Sequence, residues 1–386
     1  MPKTFASADL VPRDPRAPFD NPTEEPDYSP DYRSIAPELD TPQSYLPLLP
    51  SDSERIRIRR YFSLTFLTLL FAFLTAQTVS TALELIISTV IRQIDLRAVG
   101  ELPGNYQSIL SSYYKDSSLY YAVTLVSFLI GNLAAFFVGC KLTGLKRTEC
   151  FRLRKLRVPA LLSYLLLGLW IQLAAGHLAQ WAEIVLKRIG IRVISSAFTI
   201  SGSAHRLAVF ALYCCVIAPV TEELLLRGMV LKNLCRVSQR LGIVLSALLF
   251  ALMHENIPQM LFTFPLGILL AYITIRHNSV TPAICVHICV NSVQLLQQIG
   301  KELLPSRTFS TVDMVYTLGI LLIGSIIFSV MLLTERLPVP TPHQSMRGWR
   351  IVCSSPIFWL FLAAHCGAAL YQAGLLVLPV SLRSIL

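Results

Sequence analysis

Charge is scarce in this chain. Of its 386 residues only 15% are Asp, Glu, Lys or Arg, against 54% hydrophobic residues, and the mean hydropathy is +0.58. Soluble domains run nearer one quarter charged, so a set of soluble domains is excluded and a membrane protein is expected. Several chemical signatures are also missing. None of the nine cysteines forms a CxxC pair, so neither a zinc knuckle nor a thioredoxin-like redox site is indicated. Most of the cysteines lie in apolar runs and read as small hydrophobes; Cys285 and Cys289, which flank His287, read the same way for want of further ligands. HExxH is absent: His254-Glu255 opens like it, but no histidine follows at position 258. No GxSxG marks a serine nucleophile.

Residues 1–54 are the exception to the apolar character. Proline recurs every few residues, acids outnumber bases, and there is too little apolar surface to offset the entropy of ordering. A disordered, proline-rich acidic tail is expected. It has no apolar h-region and does not read as a signal peptide.

The rest of the chain is organised by apolar runs. They lie near 63–91, 120–140, 158–181, 207–220, 241–254, 260–275, 280–298, 314–333 and 356–378. Runs near 20 residues are long enough to cross the hydrocarbon layer. The expected fold is all-α, a polytopic transmembrane bundle of about eight or nine helices. The basic stretches Glu54–Arg60 and Lys141–Arg157 and the group Lys232, Arg236 and Arg240 fall on one side if the N-terminus is cytoplasmic, as the positive-inside bias favours. These bases flank apolar helices and carry no nucleic-acid recognition module. The lipid bilayer, with its anionic headgroups, is their expected partner, and no nucleic acid is. The fifth to seventh runs are short or contain proline, at Pro265 and Pro282, so broken helices are expected there.

Polar groups concentrate in the same region. In VTEELLLRGMV, residues 220 to 230, Glu223 and Arg227 stand four apart and share a helix face, whereas Glu222 points about 100° away. Arg227 is expected to brace Glu223 and leave Glu222 for another partner. Pro219 is expected to disturb the helix just before it, and Thr221 to cap a helix starting at Glu222, either of which admits water. Phe250 and His254 share a face, as do His287 and Asn291. Ionisable groups inside membrane helices usually mark function. A free carboxylate, two imidazoles and an amide are the parts of a hydrolytic centre: a base for water, a proton carrier, and donors to an oxyanion. His177 and His365 are lone histidines in apolar runs and read as packing or interhelical hydrogen bonds.

Glu222-Glu223-xxx-Arg227, Phe250-xxx-His254 and His287-xxx-Asn291 resemble, in order and spacing, the CPBP family of intramembrane proteases. That family includes the type II CAAX prenyl endopeptidases and bacterial immunity and bacteriocin-processing proteins. The resemblance covers roughly residues 205 to 300. It implies an intramembrane endopeptidase, in which glutamate- and histidine-activated water cuts a membrane-associated peptide or protein substrate, with a prenylated CAAX-like tail as one class. It implies catalytic roles for Glu222 as base, His254 beside it, and His287 with Asn291 at the oxyanion. Glu223, Arg227 and Phe250 would support them. The family is commonly described as metalloproteases, and Glu222, His254 and His287 would be the ligands of a divalent metal such as zinc. Water activation without a bound metal is the favoured reading, with no other cofactor. The family's spread implies a prokaryotic plasma membrane.

The expected division is a tail at 1–54, an N-terminal transmembrane scaffold of about three helices at 55–204, the catalytic core at 205–300, and C-terminal transmembrane helices at 301–386. Two other classes remain open on sequence: a non-catalytic membrane scaffold or immunity factor, and an ion-coupled transporter. Paired intramembrane carboxylates suit proton coupling, but no duplicated half is evident.

Overall fold

A computed structural model describes residues 52–115, 117–151, 156–191, 204–235, 239–334, 342–373 and 375. The proline-rich stretch up to residue 51 lies outside them. Eleven helices are present among the described residues, with no strand. They are α1 (Asp52–Val99), α2 (Tyr106–Lys115), α3 (Ser118–Thr143), α4 (Val158–Arg188), α5 (Ala204–Leu234), α6 (Gln239–Leu252), α7 (Ile257–His277), α8 (Thr281–Leu303), α9 (Ser306–Thr334), α10 (Pro342–Cys353) and α11 (Pro356–Gln372). Seven of these, α1, α3, α4, α5, α7, α8 and α9, are long and apolar enough to cross a membrane; α6 and α11 are shorter apolar helices. Each of the nine apolar runs is thus helical over most of its described residues, in a polytopic bundle. The amphipathic α2 and α10 were not expected from hydropathy.

Apolar side chains pack into two main cores. The first joins α1, α3, α5, α6 and α11, through Phe62, Phe66, Phe136, Leu225, Phe250 and Phe361. The second joins α4, α7 and α8, through Leu167, Leu270, Ile273, Val286 and Val290. A small cluster of Leu231, Ile243, Ala271 and Ile275 bridges α5, α6 and α7. Helices α5 to α8 therefore run between the cores, and the polar motifs lie on them.

Two expectations about the backbone are corrected. Helix α7 continues through Pro265, and Pro282 sits in the first turn of α8, where a missing N–H costs nothing. Neither is broken. The irregular helix is instead α5. It widens at Leu212–Ile217, returns to regular α geometry over Ala218–Glu223, and widens again at Leu224–Leu231. In the first wide stretch the Ala218 N–H reaches back five residues to Tyr213 O. Such turns are rare and often occur at functional sites. Pro219 supplies a reason: in a regular turn its ring would meet the carbonyl four residues back.

Helix α9 is held by a narrow seam. Trp170 of α4 stacks on Phe328 with ring centroids 5.0 Å apart, and its Nε1 donates to Ser325 Oγ at 3.0 Å. Gly324 makes that approach possible, because a Cβ there would collide with the Trp170 side chain. Gly324→Leu is expected to pry α9 off α4 and cost about 1–3 kcal/mol by overpacking. A lowered thermal midpoint of the detergent-purified protein measures this, and an unchanged midpoint counts against the seam.

Candidate active site

The centre of the site is an ion pair with no access to solvent. Arg227 Nη1 donates to Glu223 Oε1 at 3.0 Å, and both side chains are 0% exposed. Arg227 Nη2 donates to the Gly267 carbonyl of α7 at 3.2 Å. The guanidinium also lies 4.6 Å over the Phe250 ring of α6, a stabilising cation–π contact. Gly267 is a close-approach position: a Cβ there would meet Ala247 at 3.1 Å and Phe250 at 3.2 Å.

Glu223 does more than brace Arg227, which sequence reasoning missed. The same Oε1 lies 3.0 Å from His287 Nδ1 of α8. A carboxylate only accepts, so His287 Nδ1 carries the proton in this contact. His287 Nε2 then faces Glu222 Oε2 at 3.9 Å. The imidazole thus spans the two glutamates. His254 is fixed in a similar way, with Nδ1 2.8 Å from the Phe250 carbonyl. A carbonyl is also purely an acceptor, so Nδ1 is again the protonated nitrogen and Nε2 is left for other contacts. The Phe250 ring meets both imidazoles edge-on, at 4.8 Å from His254 and 5.7 Å from His287.

Glu222 is placed by its neighbours. Thr221 does not cap a helix start, contrary to expectation. It lies inside the continuous α5, where its hydroxyl donates back toward Ile217 O at 2.9 Å. It also accepts from Asn132 Nδ2 of α3 at 3.1 Å. This pins α5 to α3 one residue before Glu222. Asn291 Nδ2 donates to Cys214 O at 2.8 Å. In the five-residue register the Cys214 carbonyl would look for an N–H at position 219, which proline lacks. Asn291 fills that vacancy with one amide proton and keeps a second.

Glu222, His254, His287, Asn291 and Phe250 all line one cavity of about 720 Å³. Glu222 and His254 share the cavity rather than a hydrogen bond. Six glutamines, among them Gln172, Gln259 and Gln294, also face it, with Tyr213 and Asn132; none of these was anticipated. His177 lies on its wall, and His365 makes an interhelical hydrogen bond to Glu255 elsewhere.

The donor set meets the needs of a metal only in part. Anchoring Nδ1 on a carboxylate or carbonyl and leaving Nε2 free is how ligating histidines are usually held. The spacing does not follow: among the described residues no group of three or more His, Cys, Asp or Glu side chains is arranged to hold an ion.

Residues 204–293 match the family model described as type II CAAX prenyl endopeptidase Rce1-like. The matched segment contains all three motifs, from Glu222 to Asn291. No curated protein and no solved structure matches the chain.

The ion pair makes a sharp prediction. Arg227→Met leaves Glu223 as an uncompensated buried charge, expected to cost about 3–5 kcal/mol. Arg227→Lys should recover little, because an ammonium cannot serve Glu223, Gly267 O and the Phe250 face in one planar geometry. Thermal unfolding in detergent tests both; a lysine variant as stable as the parent would refute the three-way assignment.

Proposed function

We propose, from the premise that the chain carries the Rce1-like segment of the CPBP intramembrane protease family, that it is an endopeptidase. Its substrate would be a membrane-associated chain, with prenylated CAAX-like tails as the first class to try. One observation carries the reading: Glu222 of α5, His254 of the turn after α6, and His287 and Asn291 of α8 border a single cavity. The seven candidate spans make the protein multi-pass, and the substrate would enter from the bilayer or its surface. A cytoplasmic N-terminus remains part of the proposal, on the charge bias alone.

The reaction follows from the anchoring. Glu222 lines the cavity at 16% side-chain exposure, whereas Glu223 is sealed and committed to Arg227 and His287. Glu222 is therefore the carboxylate that takes a proton from water. A lone pair of the hydroxide oxygen forms a bond to the carbonyl carbon of the scissile peptide, and the C=O π pair moves onto the carbonyl oxygen. Asn291 offers its remaining amide N–H to that oxyanion. His287 Nε2 joins it when the ring carries both protons; as the neutral ring it accepts instead. Collapse breaks the C–N bond, and the proton first taken by Glu222 passes to the leaving amine, directly or through His254 Nε2. Preorganised donors of this kind are commonly the largest electrostatic contribution to such a reaction. The glutamine-rich wall suits an extended peptide, whose amides need both donors and acceptors.

Glu222→Gln keeps the shape but removes the base. Its kcat toward a prenylated peptide ending in a CAAX sequence is expected to fall by about 10³-fold or more, with membrane accumulation and thermal midpoint unchanged. Sustained cleavage by the purified variant would remove Glu222 from this role. Dialysis against a chelator addresses the metal: activity that survives it fits the spacing of the three side chains. Loss reversed by stoichiometric zinc would mean that they close onto an ion.

A further inference from the structure

The turn carrying His254 is held in an unfavourable conformation by a helix outside the matched segment. Glu255, the next residue, has φ +54. This left-handed conformation ends α6 and lets Asn256 cap α7, where its side chain accepts from Gln259 N at 3.1 Å. Glycine or asparagine normally fills such a place, because a Cβ is disfavoured there. An observed outlier of this kind points toward function. Its side chain supplies the compensating contact. Glu255 Oε1 lies 2.8 Å from Nδ1 of His365, which is 110 residues away on α11.

His365 is itself tightly seated. It is 1% exposed, packed against Phe361 at 4.3 Å and edge-on to Phe73 of α1 at 5.0 Å. Its ring is thus fixed by α1 and α11 before it reaches Glu255. A glycine at 255 would give the turn its preferred backbone but no handle. Glutamate accepts the strain and gains a charged tether into the first core.

We propose that Glu255 and His365 are positioning residues, and that α11 fixes the place of His254 in the cavity through their hydrogen bond. The proposal rests on His254 belonging to the hydrolytic centre. It assigns the C-terminal helix a part in the reaction, although α11 contributes no side chain to the cavity.

Three full-length variants separate the tether from the strain. His365→Ala breaks the bond and leaves the strain. Glu255→Gly breaks the bond and releases the strain. Glu255→Gln keeps an acceptor for His365. Hydrogen exchange at residues 253–256 is read first and needs no substrate. It should rise by about tenfold in H365A and E255G, the factor a charge-assisted hydrogen bond is typically worth, and stay near the parent in E255Q. The thermal midpoint of E255G should not fall. On the prenylated CAAX peptide, kcat should fall up to roughly 100-fold in H365A and E255G with little change in KM, and E255Q should retain most of it. Combining H365A with E255G should cost no more than either alone. Unchanged exchange in both tether-breaking variants overturns the proposal. So does raised exchange with unaltered kcat, which reduces the bond to a purely structural one. If the parent protein fails to cleave the peptide, the substrate assignment falls, and exchange alone then decides the tether.

Discussion

The architecture of the site depends on one guanidinium buried among apolar helices. Arg227 belongs to α5, yet its contacts extend to α6 through the Phe250 face and to α7 through the Gly267 carbonyl. Through the shared Glu223 oxygen it also governs α8, because that oxygen holds His287. Burying both charges is expensive, and such pairs often contribute little net stability. Their value here is geometric. Four helices that bury mainly Leu, Ile, Val and Phe have many nearly equivalent ways to slide. A planar donor that must meet a carboxylate, a carbonyl and an aromatic face at once admits few of them.

A second constraint acts inside α5. Pro219 is incompatible with a regular turn before it, and the chain widens instead of breaking. The Cys214 carbonyl loses its ladder partner, and Asn291 takes it. One proline thereby creates an anchor point for the neighbouring helix. The six-residue regular stretch that follows carries both glutamates, and Thr221 ties it to Asn132 just before Glu222. Irregular backbone is tolerated at membrane depth when other protein groups satisfy it. Here they do so with a side chain that also belongs to the cavity.

How much of this was legible depended on whether the information was local. The apolar runs were local, and each carries a helix among the described residues. The four-residue spacing of Glu223 with Arg227 was local too, and it returned as a 3.0 Å ion pair. Contacts between segments were not legible. Nothing in the spacing says that Glu223 serves His287, 64 residues away, or that Arg227 ends on the carbonyl of Gly267. His365 looked isolated for the same reason, since its partner Glu255 lies 110 residues upstream. Proline was read correctly at Pro219, where the helix just before it is disturbed, and wrongly at Pro265 and Pro282. Pro282 falls in a first turn, where a missing N–H costs nothing, whereas α7 runs on through Pro265 as a continuous helix.

The anchoring of each polar group leaves an asymmetry that bears on chemistry. Glu223 is claimed by Arg227 and His287. His287 is held by Glu223, His254 by the Phe250 carbonyl, and Asn291 by the Cys214 carbonyl. For the two histidines and Asn291 the protein fixes one end of the side chain and leaves the other toward the cavity. Glu222 differs. His287 Nε2 lies 3.9 Å from it, and it makes no hydrogen bond among the described residues. An unpaired carboxylate in apolar surroundings is costly, and the cost falls only when something in the cavity donates to it. Water and the amides of a bound peptide are the donors such a space admits. In the proposed reaction, Glu222 would take its partners from that set.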